Sequence, residues 1–249
     1  MENLELNKIY HGDCLDLMNR IPDKSIDMIF ADLPFLTTNA KWDCEINLPE
    51  LWKHYERIIK DNGAILLNAQ LPFDKILACS NLPLLRYEWI WEKTHATGHF
   101  NAKKMPMKAH ENLLVFYKKL PTYNPQMTEG HKPSNTFTKK IDIQNKSTIY
   151  NKASSEIKGG GKTDRYPRSV QVFASDKQKS NLHECQKPEA MCDYFIRTYS
   201  NEGDVILDNS CGSGTSGFVA KQLKRNFIMM ENVKEIFDVA CNRLGQNNI

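Results

Sequence analysis

Two short segments of this chain hold residue types that could do chemistry together. Asp32-Leu33-Pro34-Phe35 closes the apolar run Ile26-Asp27-Met28-Ile29-Phe30-Ala31. It sets a carboxylate, a stiffened turn and an aromatic face side by side, which suits a clamp for a flat amino group. Toward the other end, Asp204-Val205-Ile206-Leu207 opens onto Asp208-Asn209-Ser210-Cys211-Gly212-Ser213-Gly214-Thr215. The two glycines let the backbone approach a ligand, and a helix behind them offers free N–H groups, as a cradle for a nucleoside requires. Each segment also has a plainer use, since Asp and Pro end strands in turns and Gly often serves tight geometry alone.

Residues 204–231 read as strand, glycine turn, helix, strand and acid. Glu231 stands 23 residues after Asp208, where a carboxylate can accept both hydroxyls of a ribose. A dinucleotide would satisfy the same logic. The turn is not G-x-G-x-x-G, however, and Gly217 falls at the wrong interval for a third glycine, which leans away from a pyrophosphate. Asp13, in His11-Gly12-Asp13-Cys14, and Glu231 have the alternative role of strand-end acids capping the next helix.

The elements that must position these residues alternate between strand and helix, which predicts an α/β fold with a largely parallel sheet. Lys8–His11 reads as a strand, followed by a helix with Leu15, Met18 and Ile21 inward; residues 26–31 read as a buried strand. Leu48, Leu51, Trp52, Tyr55, Ile58 and Ile59 recur at helical spacing, predicting a helix over 48–60 that Gly63 ends. Strands are expected over 64–67, 87–91 and 113–117, with a helix near 72–80. From Pro188 a helix carries Met191, Tyr194, Phe195 and Thr198 inward; the pattern then predicts strand 204–207, helix 216–225 and strand 226–230. A last helix buries Val233, Ile236, Phe237, Ala240 and Leu244. Residues 120–182 differ: they are polar and basic, with weak periodicity, a hinge at Gly159-Gly160-Gly161 and one strand-like alternation over Ser169–Phe173. The chain thus divides into one domain in two halves, 1–119 and 183–249, around an insert, 120–182, with little core of its own.

Bulk properties bound the reading. The 249 residues, 41% of them apolar, support a large core, and no run approaches the roughly 18 apolar residues of a membrane span. The amino-terminal residues lack the pattern of a signal peptide, and seven scattered Cys without C-x-x-C spacing fit reduced thiols, not a zinc site; a cytoplasmic protein without a metal is expected. The net charge of +3 hides a segregation. From Lys93 to Lys187 there are 18 Lys and Arg against 7 Asp and Glu, and elsewhere 15 against 23. One part suited to a polyanion and another suited to an ordinary acidic core would divide charge in this way, as would a merely solvated Lys-rich region.

In their order, the two motifs resemble those of the permuted (β) class of S-adenosylmethionine-dependent DNA amino-methyltransferases. The resemblance implies a Rossmann-like methyltransferase sheet and S-adenosylmethionine as cofactor, ahead of a nicotinamide dinucleotide. It implies that Asp208 faces the methionine moiety, Glu231 holds the ribose, and Asp13 binds the adenine amino group, with Cys14 and Asn232 beside them. Asn209, Ser210, Cys211, Gly212, Ser213, Gly214 and Thr215 then form the cofactor loop. Gln186-Lys187-Pro188 matches a Q-K-P element, with Lys187 on the cofactor; His183-Glu184-Cys185 departs from the usual H-P-T, and Ser210 replaces the usual loop aromatic.

For the tetrapeptide, the resemblance implies that Asp32 and the Leu33 carbonyl accept both protons of an exocyclic amine, freeing its lone pair for methylation. Pro34 keeps the carbonyl aimed, and Phe35 stacks on a base flipped out of the helix. Asp at position 32 favours adenine N6 over cytosine N4. The catalytic motif precedes the glycine loop by about 175 residues with the basic stretch between, in the place of a target-recognition region. Lys103, Lys104, Lys108, Lys139, Lys140, Lys162, Arg165 and Arg168 are candidate phosphate contacts, with Arg165 or Arg168 a candidate reader of a base edge. The expectation is a site-specific DNA adenine-N6 methyltransferase, with DNA as partner, a possible homodimer and a cognate restriction endonuclease. The alternatives are a cytosine-N4 enzyme and a catalytically silent DNA-binding subunit.

Overall fold

A computed structural model describes residues 2–36, 43–140, 156–176 and 186–246, with the side chains of Lys139, Lys140, Glu156 and Ile157 outside the description. His183, Glu184 and Cys185 also lie outside the described residues. The chain forms two compact units, one of residues 1–124 with 169–249 and one of 125–168.

The larger unit is built on one eight-stranded sheet. Its strands are β1 (Lys8–His11), β2 (Ile26–Ala31), β3 (Ile59–Ala69), β4 (Leu85–Thr97), β5 (Lys108–Phe116), β8 (Val170–Phe173), β9 (Val205–Asp208) and β10 (Asn226–Glu231). The spatial order is β1-β10-β9-β2-β3-β5-β4-β8, and only β5 runs against the others. The largely parallel sheet expected from the alternating pattern is therefore present.

Alternate strand residues feed two cores, as the period of two requires. Met28, Phe30, Ala64, Leu66, Ile206, Phe227 and Met229 face one cluster, to which α4 (Glu189–Tyr199), α5 (Thr215–Gln222) and α6 (Lys234–Leu244) contribute. Ile29, Ala31, Ile65, Leu67, Leu207, Ile228 and Met230 face the other, filled by α1 (Cys14–Met18), α2 (Leu48–Ile58) and α3 (Phe73–Ser80). Helices on both faces of a parallel sheet make the Rossmann-like α/β sandwich. The strand order turns between β9 and β2, and such a switch point opens a crevice beyond the strand carboxyl ends. Asp32 and Asp208 stand at the ends of those two neighbouring strands.

Two boundaries differ from expectation for physical reasons. Helix α2 ends at Ile58, and Gly63 lies inside β3, where the register against β2 jumps from Ile26↔Ile59 to Met28↔Ala64. A Cβ on Gly63 would sit 2.8 Å from the Asp27 carbonyl, so this glycine permits a bulge and does not stop the helix. The alternation over 169–173 is β8, which pairs with β4 at the edge of the main sheet, so the separate unit is narrower than the insert expected over 120–182.

In the smaller unit, β6 (Phe137–Lys140) pairs antiparallel with β7 (Glu156–Gly159), and Thr128 bridges Arg165. No helix among the described residues is long and apolar enough to cross a membrane.

Candidate active site

A cavity of about 800 Å³ opens at the crevice between β2 and β9. One end is lined by Asp13, Cys14, the glycine loop, Glu231 and Asn232; the other by Asp32 to Phe35, Asn68, Trp91, Lys93 and Glu111. Every expected catalytic and cofactor residue borders this space except Gly214. That glycine adopts φ +74° at the start of α5, and a Cβ on it would lie 3.2 Å from the Cβ of Ala240. It shapes the loop through its backbone and through close packing on α6.

The loop is held from several sides. Tyr55, buried in α2, donates its hydroxyl to Asn209 at 2.6 Å, and Asn209 reaches the Cys14 thiol at 3.4 Å. Burial pushes that thiol up to about 11. Arg243 of α6 donates to Thr215 Oγ1 at 2.8 Å and to Glu189 at 2.6 Å, and reaches Ser213 Oγ at 3.3 Å. The Glu231 carboxylate accepts from Gly212 N at 3.0 Å and Val233 N at 2.8 Å, while burial holds its affinity for a proton above the ordinary range. The carboxylate of Asp13 caps α1, accepting from Leu15 N at 2.8 Å, which is the capping alternative; its exposed side chain still borders the cavity.

Asp208 is buried against this loop. Its carboxylate accepts from the Ser216 hydroxyl and, at 3.1 Å, from Ser210 N. Burial outweighs both and pushes the carboxyl up to about 7. Cys211, also buried, lies well above its ordinary value for the same reason.

At the other end, Asp32 follows directly on β2, and the Leu33 side chain is locked in the core at 2% exposure. Phe35 packs on Phe73 with centroids 5.7 Å apart. Lys187, expected on the cofactor, borders the cavity 2.7 Å from Asp32 Oδ2 and 3.1 Å from Glu111 Oε2, with its ammonium 5.5 Å from the Phe35 ring. Lys93 completes the chain, 2.6 Å from Glu111 Oε1. Four alternating charges thus run Lys93–Glu111–Lys187–Asp32. Burial alone would raise Glu111, but the two ammonium groups hold it at about 2. For Asp32 burial dominates and the carboxyl lies above its ordinary range, with Lys187 opposing and Glu111 reinforcing the rise.

Besides His54 Nδ1 and Asp74 Oδ1, which lie away from the cavity, the buried polar atoms without a hydrogen-bond partner among the described residues include Asp32 Oδ1, Ser210 Oγ and both side-chain heteroatoms of Gln186. These last three residues line the cavity. Orphaned polar groups of this kind are costly unless a ligand or water completes them, so the cavity is chemically suited to a polar guest at both ends.

Glu111, Lys93, Asn68, Ser216 and Arg243 were not singled out as site residues from the sequence, and Tyr55 was read only as part of the buried face of a helix. The available signal for Asn68, Lys93 and Glu111 is a polar residue at the end of an apolar strand; Arg243 carries none. The candidate phosphate contacts divide by unit. Lys103, Lys104 and Lys108 are exposed on and between β4 and β5. Lys139 and Lys140 lie on β6, with side chains outside the description. In the smaller unit Lys162 and Arg168 are exposed. Arg165 folds back onto the carbonyls of Lys162, Asp164 and Lys132 at 2.7, 2.8 and 2.6 Å.

Comparison with known proteins agrees with this geometry. The family description for DNA methylases (N6_N4_Mtase) matches residues 26–242. Type II methyltransferase M.HinfI of Haemophilus influenzae is 30% identical, the alignment covering 97% of this chain and 69% of that protein. DNA adenine methyltransferase YhdJ of Escherichia coli K12 is 30% identical over 96% of this chain and 83% of its own length. Among solved structures, the M1.HpyAVI–SAM complex superposes with a TM-score of 0.63 at 23% identity, covering 95% of this chain and 98% of that one. The PvuII DNA methyltransferase (cytosine-N4-specific) gives a TM-score of 0.68 at 16% identity, covering 100% of this chain and 89% of that one. With a family match across most of its length, and with Asp32-Leu33-Pro34-Phe35 and the glycine loop meeting in one cavity, the chain belongs to the N6/N4 DNA methylase family.

Proposed function

We propose that this DNA methyltransferase transfers the methyl group of S-adenosylmethionine to the N6 amino group of an adenine flipped out of DNA. The observation that carries the reading is Asp32: one carboxylate oxygen pairs with Lys187, and the other, bordering the same cavity as the glycine loop, has no partner among the described residues. That oxygen is a free acceptor for an amine N–H. Asp32 in place of Ser, and the likeness to the DNA adenine methyltransferase YhdJ, support adenine.

Asp208, Glu231, Asp13 and the loop backbone would hold the cofactor, whose sulfonium supplies an already activated methyl group. Glu231, fixed by two backbone N–H groups, keeps its carboxylate in place for ribose hydroxyls. Asp32 and the Leu33 carbonyl would take the two amine protons as hydrogen bonds, leaving the nitrogen lone pair free to accept the methyl group as the C–S bond breaks to a neutral thioether. The surplus N–H proton would leave by way of Asp32 to solvent. Phe35 and Trp91 border the cavity and offer faces on which the base can stack.

The order of motifs, tetrapeptide before glycine loop, supports the permuted class. The type II designation of M.HinfI supports a place beside a cognate restriction endonuclease, in the cytoplasm where DNA is met. A homodimer completes the reading, and size-exclusion chromatography with light scattering tests it. The second reading, cytosine N4, is favoured by the likeness to the PvuII enzyme. Incubation with methyl-labelled S-adenosylmethionine and mixed-sequence DNA, then nucleoside digestion and mass spectrometry, separates the two. N6-methyladenine supports the proposal, N4-methylcytosine replaces it with the second reading, and cofactor binding without any methylated base removes both.

A further inference from the structure

Strand β4 runs in the same direction as β2 and β3, so its carboxyl end leaves the sheet on the side where the cavity opens. Thr94 to Thr97, the last residues of β4, line that cavity. Beyond them the chain turns at Gly98, forms one 3-10 turn over His99–Asn101 and returns as β5, and every residue from Thr97 to His110 is exposed. Lys108, on the returning strand, lies 3.5 Å from Gln70, another residue of the cavity wall. The hairpin is therefore continuous with the rim of the site.

Its tip combines two features. Phe100 is 98% exposed, with Met105 at 54% and Met107 at 39% close behind in sequence. Between Thr94 and His110 there are three Lys, at 103, 104 and 108, all exposed, and no acid. An apolar ring standing in water, followed closely by exposed cations, suits insertion into a stack of bases whose phosphates pass on either side. We propose that this hairpin is a duplex wedge. Phe100 enters the base stack beside the flipped nucleotide, and Lys103 and Lys104 hold the adjacent phosphates. The proposal rests on the methyl-transfer reading and gives its duplex-opening step a residue.

The test uses the full chain and a duplex carrying the site mapped by sequencing methylated DNA, with a second duplex that has an abasic residue opposite the target base. The second needs no pairing broken. Phe100→Ala is expected to lower kcat/KM at least about tenfold on the paired duplex and no more than about threefold on the abasic one, with Phe100→Trp restoring the first. Equal losses on both duplexes, or none on the paired one, overturn the wedge. Fluorescence of the Phe100→Trp chain, corrected for the wild type, reads insertion without any chemistry. Quenching on addition of mixed-sequence duplex supports insertion even where no base is methylated, in which case the function reading fails alone. Methyl transfer without quenching overturns the wedge alone. A signal that follows protein concentration and ignores DNA makes the tip a contact between copies, which also overturns it.

Discussion

Lys187 Nζ lies 2.7 Å from Asp32 Oδ2 and leaves Asp32 Oδ1 without a partner among the described residues. One carboxylate is thereby divided between two tasks. Lys187 offsets the cost of its charge in a buried place, and the unpaired oxygen remains an acceptor. A protonated carboxyl could donate where it must accept. The ion pair thus bears on the protonation state on which the proposed amine clamp depends, and it holds Lys187 at the Asp32 end of the cavity.

Replacing Lys187 with Met should move the acid limb of the kcat/KM profile upward. Burial already raises Asp32, and Lys187 is the main influence opposing that rise. Loss of an opposite charge at this distance shifts a carboxyl by about 1–2 pH units. The pH–rate profile of the variant measures this directly. An unmoved limb would mean that another group controls activity at low pH.

The charge chain should behave as a unit in stability. Glu111→Gln leaves Lys93 and Lys187 facing each other with only Asp32 to compensate, and breaking a buried pair in this way costs about 3–5 kcal/mol. Lys93→Met added to Glu111→Gln removes the excess cation and leaves the Lys187–Asp32 pair. The double variant should then lose less than the sum of the two single losses, as urea denaturation of all three will show. Strict additivity would show that the four groups are independent.

Asp32→Ala should separate chemistry from cofactor binding. Lys187 keeps Glu111 as a partner in this variant, so its ammonium is not left bare, although the chain of charges then carries one cation in excess. Methyl transfer is expected to vanish, while affinity for S-adenosylmethionine, measured by calorimetry, stays within about threefold. Retained turnover would remove Asp32 from the mechanism.

Much of this site was legible because its signals are local. The apolar run before Asp32 and the strand–glycine–helix pattern after Asp204 each lie within one stretch of chain, and both folded as read. Glu111 was not legible: it meets Lys93 through the pairing of β5 with β4, and no local pattern sets that register. Arg243 is hidden for the same reason, reaching Thr215 from a helix 28 residues on. The alternation at 169–173 marked a strand but not its partner, which is why β8 was assigned to the insert and not to the edge of the sheet. Gly63 shows a different limit, since a glycine after a helical pattern signals a stop and a bulge equally well.

Asp208 offers a pH signature distinct from those of the other carboxylates. Burial raises it from the ordinary 3.8 to about 7, so the folded chain keeps this proton after the unfolded chain has lost it. Below about pH 4 both states are protonated and the group costs nothing. As pH rises toward 7 the unfolded state alone has ionised, so stability falls through that window, by about 4 kcal/mol at most once both states are ionised. Asp208→Asn cannot ionise, and its amide oxygen can still accept from Ser216 or from Ser210 N. The variant should therefore be the more stable chain at pH 8 and should show a shallower decline between pH 5 and 8 by about one proton. Urea unfolding of both proteins across that range checks the difference, and it is the difference that matters, because Asp32 and Glu231 are raised in both chains. Parallel curves would place the proton elsewhere in the cavity and leave Asp208 ionised at neutral pH.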